Sequence, residues 1–287
     1  MGQLIAILSA SKQVKRMRYA LIVLLLCSFA VTQGAPAPSA DEPPAQSIPI
    51  DQENSRKARA VFDQAIQALG GDAYLNARDL STEGRSYSFH RGQPNSLGTL
   101  FWRFRKFPDK DRVEVTKKRD VIQIYSGDNG YEITYKGVRN LEHKDELDPY
   151  LRRRHFSLES VLRQWLKEPG IALFYEGQNV AAQKETDQVT VMNSGNEAVT
   201  INVDINTHLP VKKSFSWRDP ADKQRNVEEE VYDNYRPIQN IMTPFDVTRF
   251  FNGDMAAQFF ITTATYNQNL SDALFDPQKA SAGGKKR

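Results

Sequence analysis

Residues 98–107 read GTLFWRFRKF. Leu100, Trp102 and Phe104 alternate there with Arg103 and Arg105. Successive side chains of a strand point to opposite faces, so this period of two predicts a strand with one aromatic face and one cationic face. The expected arrangement puts the apolar trio inward. Pro108-Asp109-Lys110-Asp111 then reads as a turn.

Outward from this strand the same period recurs. Strands are predicted at 80–89, 112–116, 120–125 and 131–135, with a tight hairpin at Ser126-Gly127-Asp128-Asn129-Gly130, where Gly and Asn tolerate positive φ. Further strands follow at 171–176, 188–193, 198–204, 210–218, 227–235, 243–252 and 256–267. Val199, Ile201 and Val203 oppose Thr200, Asn202 and Asp204. Glu228, Glu229 and Glu230 break the alternation of their strand and predict a solvated edge. The count is about eleven strands, and short turns between consecutive strands imply a mainly antiparallel sheet.

Two helices stand out. Asp51 or Asn54 can cap the first, whose stripe is Ala58, Val61, Phe62, Ala65, Ile66 and Leu69, and Gly70-Gly71 ends it. A short helical turn is expected at 72–76. Ser157 caps the second helix, with Leu158, Val161, Leu162, Trp165 and Leu166 on one face; Pro169-Gly170 stops it. Two helices cannot cover a long flat sheet. The inventory therefore predicts an α+β fold, a single curved sheet closed over by helices, with an apolar space beneath the lid. Its expected lining is Leu100, Trp102, Phe104, Tyr125, Ile133, Val161, Leu162, Trp165, Leu173, Ile201, Val203, Phe215, Trp217, Val247 and Phe260. Val161, Leu162 and Trp165 would refill that space when a ligand leaves.

Composition narrows the function. Hydrophobic residues make up 40% and charged residues 25%, a globular balance. Lys12, Lys15, Arg16 and Arg18 precede the apolar run YALIVLLLCSFAV at 19–31, the pattern of a signal peptide. Residues 1–34 are read as that signal, with an uncleaved anchor as the alternative, and the Pro/Ala-rich residues 35–50 as a flexible tether. The domain is placed at 51–277 and a disordered basic tail at 278–287. Without the four leader cations the chain is near neutral, at 34 basic against 35 acidic residues, so no nucleic-acid partner is expected. Cys27 is the single cysteine, and Leu26 before it does not suit lipid attachment. His90, His143, His155 and His208 lack metal-ligand spacing. No Gly-x-Ser-x-Gly, phosphate loop or metal motif occurs. Ser157 near His155 reads as a cap rather than a nucleophile, and Asp109 with Asp111 as solvated turn residues. No enzyme, cofactor or metal is expected.

Several of these segments recur together in one group. They are the leader, the helix ending in Gly-Gly, the aromatic strand running into Pro108, and the Ser126–Tyr131 hairpin. The turn Asp204-Ile205-Asn206-Thr207-His208-Leu209-Pro210 and the run Val231-Tyr232-Asp233-Asn234-Tyr235-Arg236 complete the set. Over roughly residues 55–277 the order resembles the LolA-like proteins, the outer-membrane lipoprotein-sorting and carrier group of bacteria. The resemblance implies an unclosed β-barrel with a helical lid over a hydrophobic cavity. It implies a periplasmic carrier of lipid or lipoprotein acyl chains, with an inner- or outer-membrane protein as partner. The alternative within the same fold is a periplasmic sensor or regulatory module that docks a protein. Carriers of the group have an Arg immediately before the proline that ends the aromatic strand. Here Phe107 holds that place, and Arg105 shares its face two positions back.

Overall fold

The computed structural model describes residues 50–283; the expected signal peptide, Cys27, the tether up to residue 49 and residues 284–287 lie outside the described residues. Helix α1 (Ile50–Leu69) opens the domain, and α2 (Asp72–Leu75) follows after Gly70-Gly71. Gly70 has φ 126°, and a Cβ there would lie 2.3 Å from the Asn240 carbonyl oxygen, so only glycine fits this helix end.

The sheet then begins with β1 (Asp79–His90), β2 (Gln93–Pro94), β3 (Thr99–Lys106), β4 (Lys110–Val115), β5 (Val121–Ser126), β6 (Asn129–Thr134) and β7 (Gly137–Asn140). A π-helical turn at His143–Leu147 leads into α3 (Asp148–His155) and α4 (Leu158–Arg163), and a 3-10 turn (Trp165–Lys167) closes the helical insert. The second run of strands is β8 (Ala172–Ala181), β9 (Lys184–Met192), β10 (Ala198–Asp204), β11 (Pro210–Arg218), β12 (Arg225–Ile238), β13 (Ile241–Phe251) and β14 (Asp254–Tyr266). A 3-10 turn at Asp272–Phe275 and α5 (Pro277–Gly283) end the described chain, so a helix occupies the start of the segment expected as a tail.

All fourteen strands join one sheet, more than the eleven or so expected; the short β2 and β7 have no alternating pattern to betray them. The order is β7-β6-β5-β4-β3-β1-β14-β13-β12-β11-β10-β9-β8, with β2 beside β1. Every pairing is antiparallel. The two end strands, β7 and β8, do not pair, so the sheet is open. Turn chemistry explains the tight connections. Ala182-Gln183, Gln239-Asn240 and Asn252-Gly253 all have positive φ at both positions, the geometry that matches strand twist in two-residue hairpins. Asp204 Oδ1 accepts from the backbone N–H of Asn206 and Thr207, both at 2.8 Å, which shapes the turn into β11.

One half of the curved sheet is filled. The α1 stripe of Ala58, Phe62, Ala65 and Leu69 packs with Val161, Leu162 and Trp165 of the helical insert against Val189, Val191, Val199 and Ile201. Each large side chain buried this way contributes about 1.5–3 kcal/mol. Asn54 is not a cap, as the helix starts upstream of it. Its amide donates to the Tyr175 carbonyl at 2.7 Å and accepts from the Tyr175 N–H at 2.9 Å, so it pairs with edge strand β8 as another strand would. Ser157 does cap α4, accepting from the Ser160 N–H at 3.1 Å. No described helix is long and apolar enough to cross a membrane.

Candidate functional site

The other half of the concave face is not filled. Between α3–α4 and the strands β1, β3–β5 and β12–β14 lies a cavity of about 440 Å³. Its apolar wall comes from Leu69, Leu80, Phe101, Phe107, Val113, Val247, Phe259 and Ile261. Gly84 makes the Phe101 wall feasible, because a Cβ there would sit 2.9 Å from the Phe101 ring and 2.2 Å from the Phe260 carbonyl oxygen. A volume of this size lies within the roughly 300–1,000 Å³ range of small-molecule pockets.

Polar groups are interleaved with this wall. Arg103 and Arg105 face the cavity, whereas Leu100, Trp102 and Phe104 face away from it, the reverse of the expected orientation. Alternation tells which residues share a face, not which face is inner. Here both faces of β3 are covered. Phe104 packs with Ile124, Ile133 and Phe275 beneath the C-terminal segment, and Arg119 lies 4.8 Å over the Trp102 ring. Phe260 is likewise one residue out of phase: Phe259 lines the cavity, while Phe260 is 37% exposed and meets Tyr87 edge-on.

Of the fifteen residues expected to line the space, Tyr125 and Val247 do so. Val161, Leu162, Trp165, Leu173, Ile201, Val203 and Phe215 belong to the filled core. They are already packed, so they are not free to move in and out of the cavity. Trp217 packs at the margin of the filled core and borders a separate open groove, with the Arg152 guanidinium 3.4 Å over its ring.

Carboxylates expected at the surface are instead built into the interior. Asp111 is only 2% exposed; Arg103 Nη2 donates to it at 2.5 Å and the Tyr150 hydroxyl at 3.0 Å. Nor do Glu228–Glu230 mark an edge, because β12 pairs on both sides. Glu230 accepts from the Tyr232 hydroxyl at 2.7 Å and from Arg249 Nε at 3.0 Å, and Lys213 Nζ lies 3.0 Å away. Burial opposes the charge on Glu230, and Lys213 and Arg249 more than offset it, holding the carboxyl far below its usual range. Glu228 receives Arg152 Nε at 3.3 Å and Trp217 Nε1 at 3.1 Å.

The lid carries its own pair. Arg105 Nη1 donates to Glu159 at 2.7 Å. Burial would raise Glu159, yet Arg105 and Arg163 bring it down to about 2. Burial raises the Tyr125 phenol to about 12, helped by Asp111, and pushes Tyr74, Tyr232 and Tyr235 up as well, so these rings stay neutral hydrogen-bonding groups. Arg153 is pushed down by burial and by Arg249; its nearest carboxylate oxygen, on Glu228, is 3.8 Å away. Ser157 and His155 do not form a nucleophile pair: the serine is the cap, and His155 Nε2 lies 2.8 Å from Glu197. Among the described residues no group of three or more His, Cys, Asp or Glu could hold a metal ion.

The buried charges and α3 were not visible in the sequence. Helix α3 has no apolar stripe; Arg152, Arg153 and Arg154 dominate it, and it is held by ion pairs to Glu228 and Asp128 and by Tyr150, which stacks on Tyr125. The usable signal was electrostatic: two arginines on one face of a strand, with Asp111 and a Glu triplet on strands expected nearby.

No family model matches the sequence, and no curated protein matches it. Solved structures do match in backbone. The chain is similar to a DUF1329 family protein from Desulfovibrio piger ATCC 29098, with 13% identity and a TM-score of 0.55 over 77% of this chain and 98% of that one. A domain from Vibrio parahaemolyticus, assigned to outer-membrane lipoprotein sorting, matches over the same shares with 9% identity and a TM-score of 0.52. A LolA superfamily protein from Nitrosomonas europaea matches over the same shares with 10% identity and a TM-score of 0.48. At these identities the likeness is one of fold: the chain shares the fold of the Desulfovibrio piger and Vibrio parahaemolyticus proteins.

Proposed function

We propose that this protein is a carrier that binds the acyl chains of a lipid or lipoprotein in the cavity beneath α3 and α4, rather than an enzyme. The observation that carries the reading is the unfilled half of the sheet. A fold that packs Trp165 and Phe62 to completion on one side keeps about 440 Å³ lined by Phe101, Val113, Val247 and Phe259 on the other. An acyl chain moved from water into such a wall gains about 0.8 kcal/mol per CH₂. The shared fold supports the same reading, since one fold neighbour is assigned to outer-membrane lipoprotein sorting. With the export signal read at 1–34, the work would be done in the periplasm, between loading and unloading partners in the membranes.

One observation favours the sensor alternative. Edge strand β8 exposes Phe174 (41%) and Val180 (73%), and beyond Tyr175, whose backbone Asn54 takes, its edge has no strand partner and can accept one from another protein. Native mass spectrometry of the exported protein, followed by lipid extraction, separates the readings. A co-purifying acyl lipid is the expected result. Protein without lipid that also fails to bind a fluorescent fatty acid would sink the carrier reading and favour the docking module.

A further inference from the structure

Every cation on the cavity wall except one has a carboxylate within 4 Å among the described residues. Arg103 has Asp111, Arg105 has Glu159, Arg249 has Glu230, Arg154 has Asp128 and Lys110 has Asp272, while Arg153 reaches Glu228 more loosely. The exception is Arg163, at the end of α4. Its Nη1 donates to the Ala77 carbonyl at 3.1 Å, and its guanidinium is stacked between Phe107 at 4.3 Å and Tyr74 at 4.7 Å. Its Nε is buried and has no acceptor among the described residues. The hydroxyl of Tyr74, whose ring the guanidinium covers, is also buried without a partner, on a side chain only 6% exposed. Both side chains line the cavity. Two side chains that line the cavity therefore each carry a buried donor without a partner, one of them on a charged group, next to a carboxylate (Glu159) already paired with Arg105.

Buried donors are almost always satisfied. Two orphans on one cavity wall, pinned by aromatic stacking, suit an oxygen anion that comes with the cargo. Resting on the carrier reading, we propose that Arg163 and Tyr74 seat the acidic head of the bound amphiphile, a carboxylate or phosphate, while its chain lies along Phe101, Val247 and Phe259. Arg163 supplies the charge and a fixed N–H; Tyr74, kept neutral by its surroundings, supplies an O–H. The ligand class is then an anionic single-chain or head-first lipid, rather than a neutral ester-linked one.

The test compares dansyl-labelled undecanoic acid with its methyl ester by fluorescence titration of the whole exported chain. The acid should bind the native protein about 10- to 100-fold more tightly than the ester, the range of one charge-assisted hydrogen bond. Arg163→Met should bring the acid down to the level of the ester and leave the ester unchanged, which also reports an intact cavity. Tyr74→Phe, which keeps the ring, should weaken the acid several-fold and spare the ester. Equal binding of acid and ester to the native protein would overturn the assignment and leave the carrier reading standing. So would equal losses for both probes in the two variants. If neither probe binds the native protein, the carrier reading falls along with it. Displacement of the acid by excess inorganic phosphate alone would assign the site to free oxyanions and overturn the lipid-head assignment.

Discussion

Lys213 has no exposed surface, and Glu230 stands 3.0 Å from its ammonium group, with Arg249 on the other carboxylate oxygen. Removing one member of such a buried group leaves an uncompensated charge and typically costs 3–5 kcal/mol, whereas replacing the group by apolar residues is often neutral. Glu230→Gln should therefore lower the unfolding free energy in urea by about 3–5 kcal/mol. The triple variant Lys213→Met, Glu230→Leu, Arg249→Met should recover most of that loss, and a triple variant as unstable as the single would contradict the account. These residues also mark where sequence reasoning failed. Three consecutive glutamates look like a wet edge, because their partners Lys212, Lys213 and Arg249 are brought alongside only by strand register.

At the scale of elements, α4 is tied to the sheet by Arg105–Glu159, a half-buried pair that crosses from lid to β3. The Glu159 carboxyl is held at about 2, below its ordinary value, so its stabilising effect is complete above the unfolded pKa and is lost as pH falls toward 2. For a half-buried, partly screened group the effect is roughly 2 kcal/mol. Denaturant midpoints measured from pH 5 down to 2.5 should show native protein and Glu159→Gln converging. A gap that stays constant across that range would rule out the lid tie. The elements themselves were largely legible: β10 and β11 fall at the predicted limits, and Gly70-Gly71 and Ser157 terminate helices as read. What escaped was α3, which has no apolar stripe and is held by long-range contacts: ion pairs to Glu228 and the stacking of Tyr150 on Tyr125.

For the whole molecule, the sheet, its curvature and its helical cover followed from pattern and turn chemistry, but the division of the concave face did not. Seven of the expected lining residues went into the filled half, because an apolar side chain on an alternating strand has the same signature in a core and in a cavity wall. If the empty half serves binding alone, a plug placed there should be nearly silent in stability. Val247→Trp projects into the cavity from β13. It should abolish binding of the fluorescent acid and change the urea midpoint little. A large loss of stability would mean that this half is packed as tightly as the other.

The sheet's two end strands, β7 and β8, never meet. A closed ring of strands has a circumference set by its hydrogen bonds, and it can widen only by tearing a seam. A strip has no seam. Its curl can tighten or relax through small changes of twist spread over many pairs, each of which stays bonded. On the carrier reading proposed above, the room beneath α3 and α4 would then be an adjustable quantity, letting one polypeptide grip chains of different girth and release each without any strand leaving its neighbour.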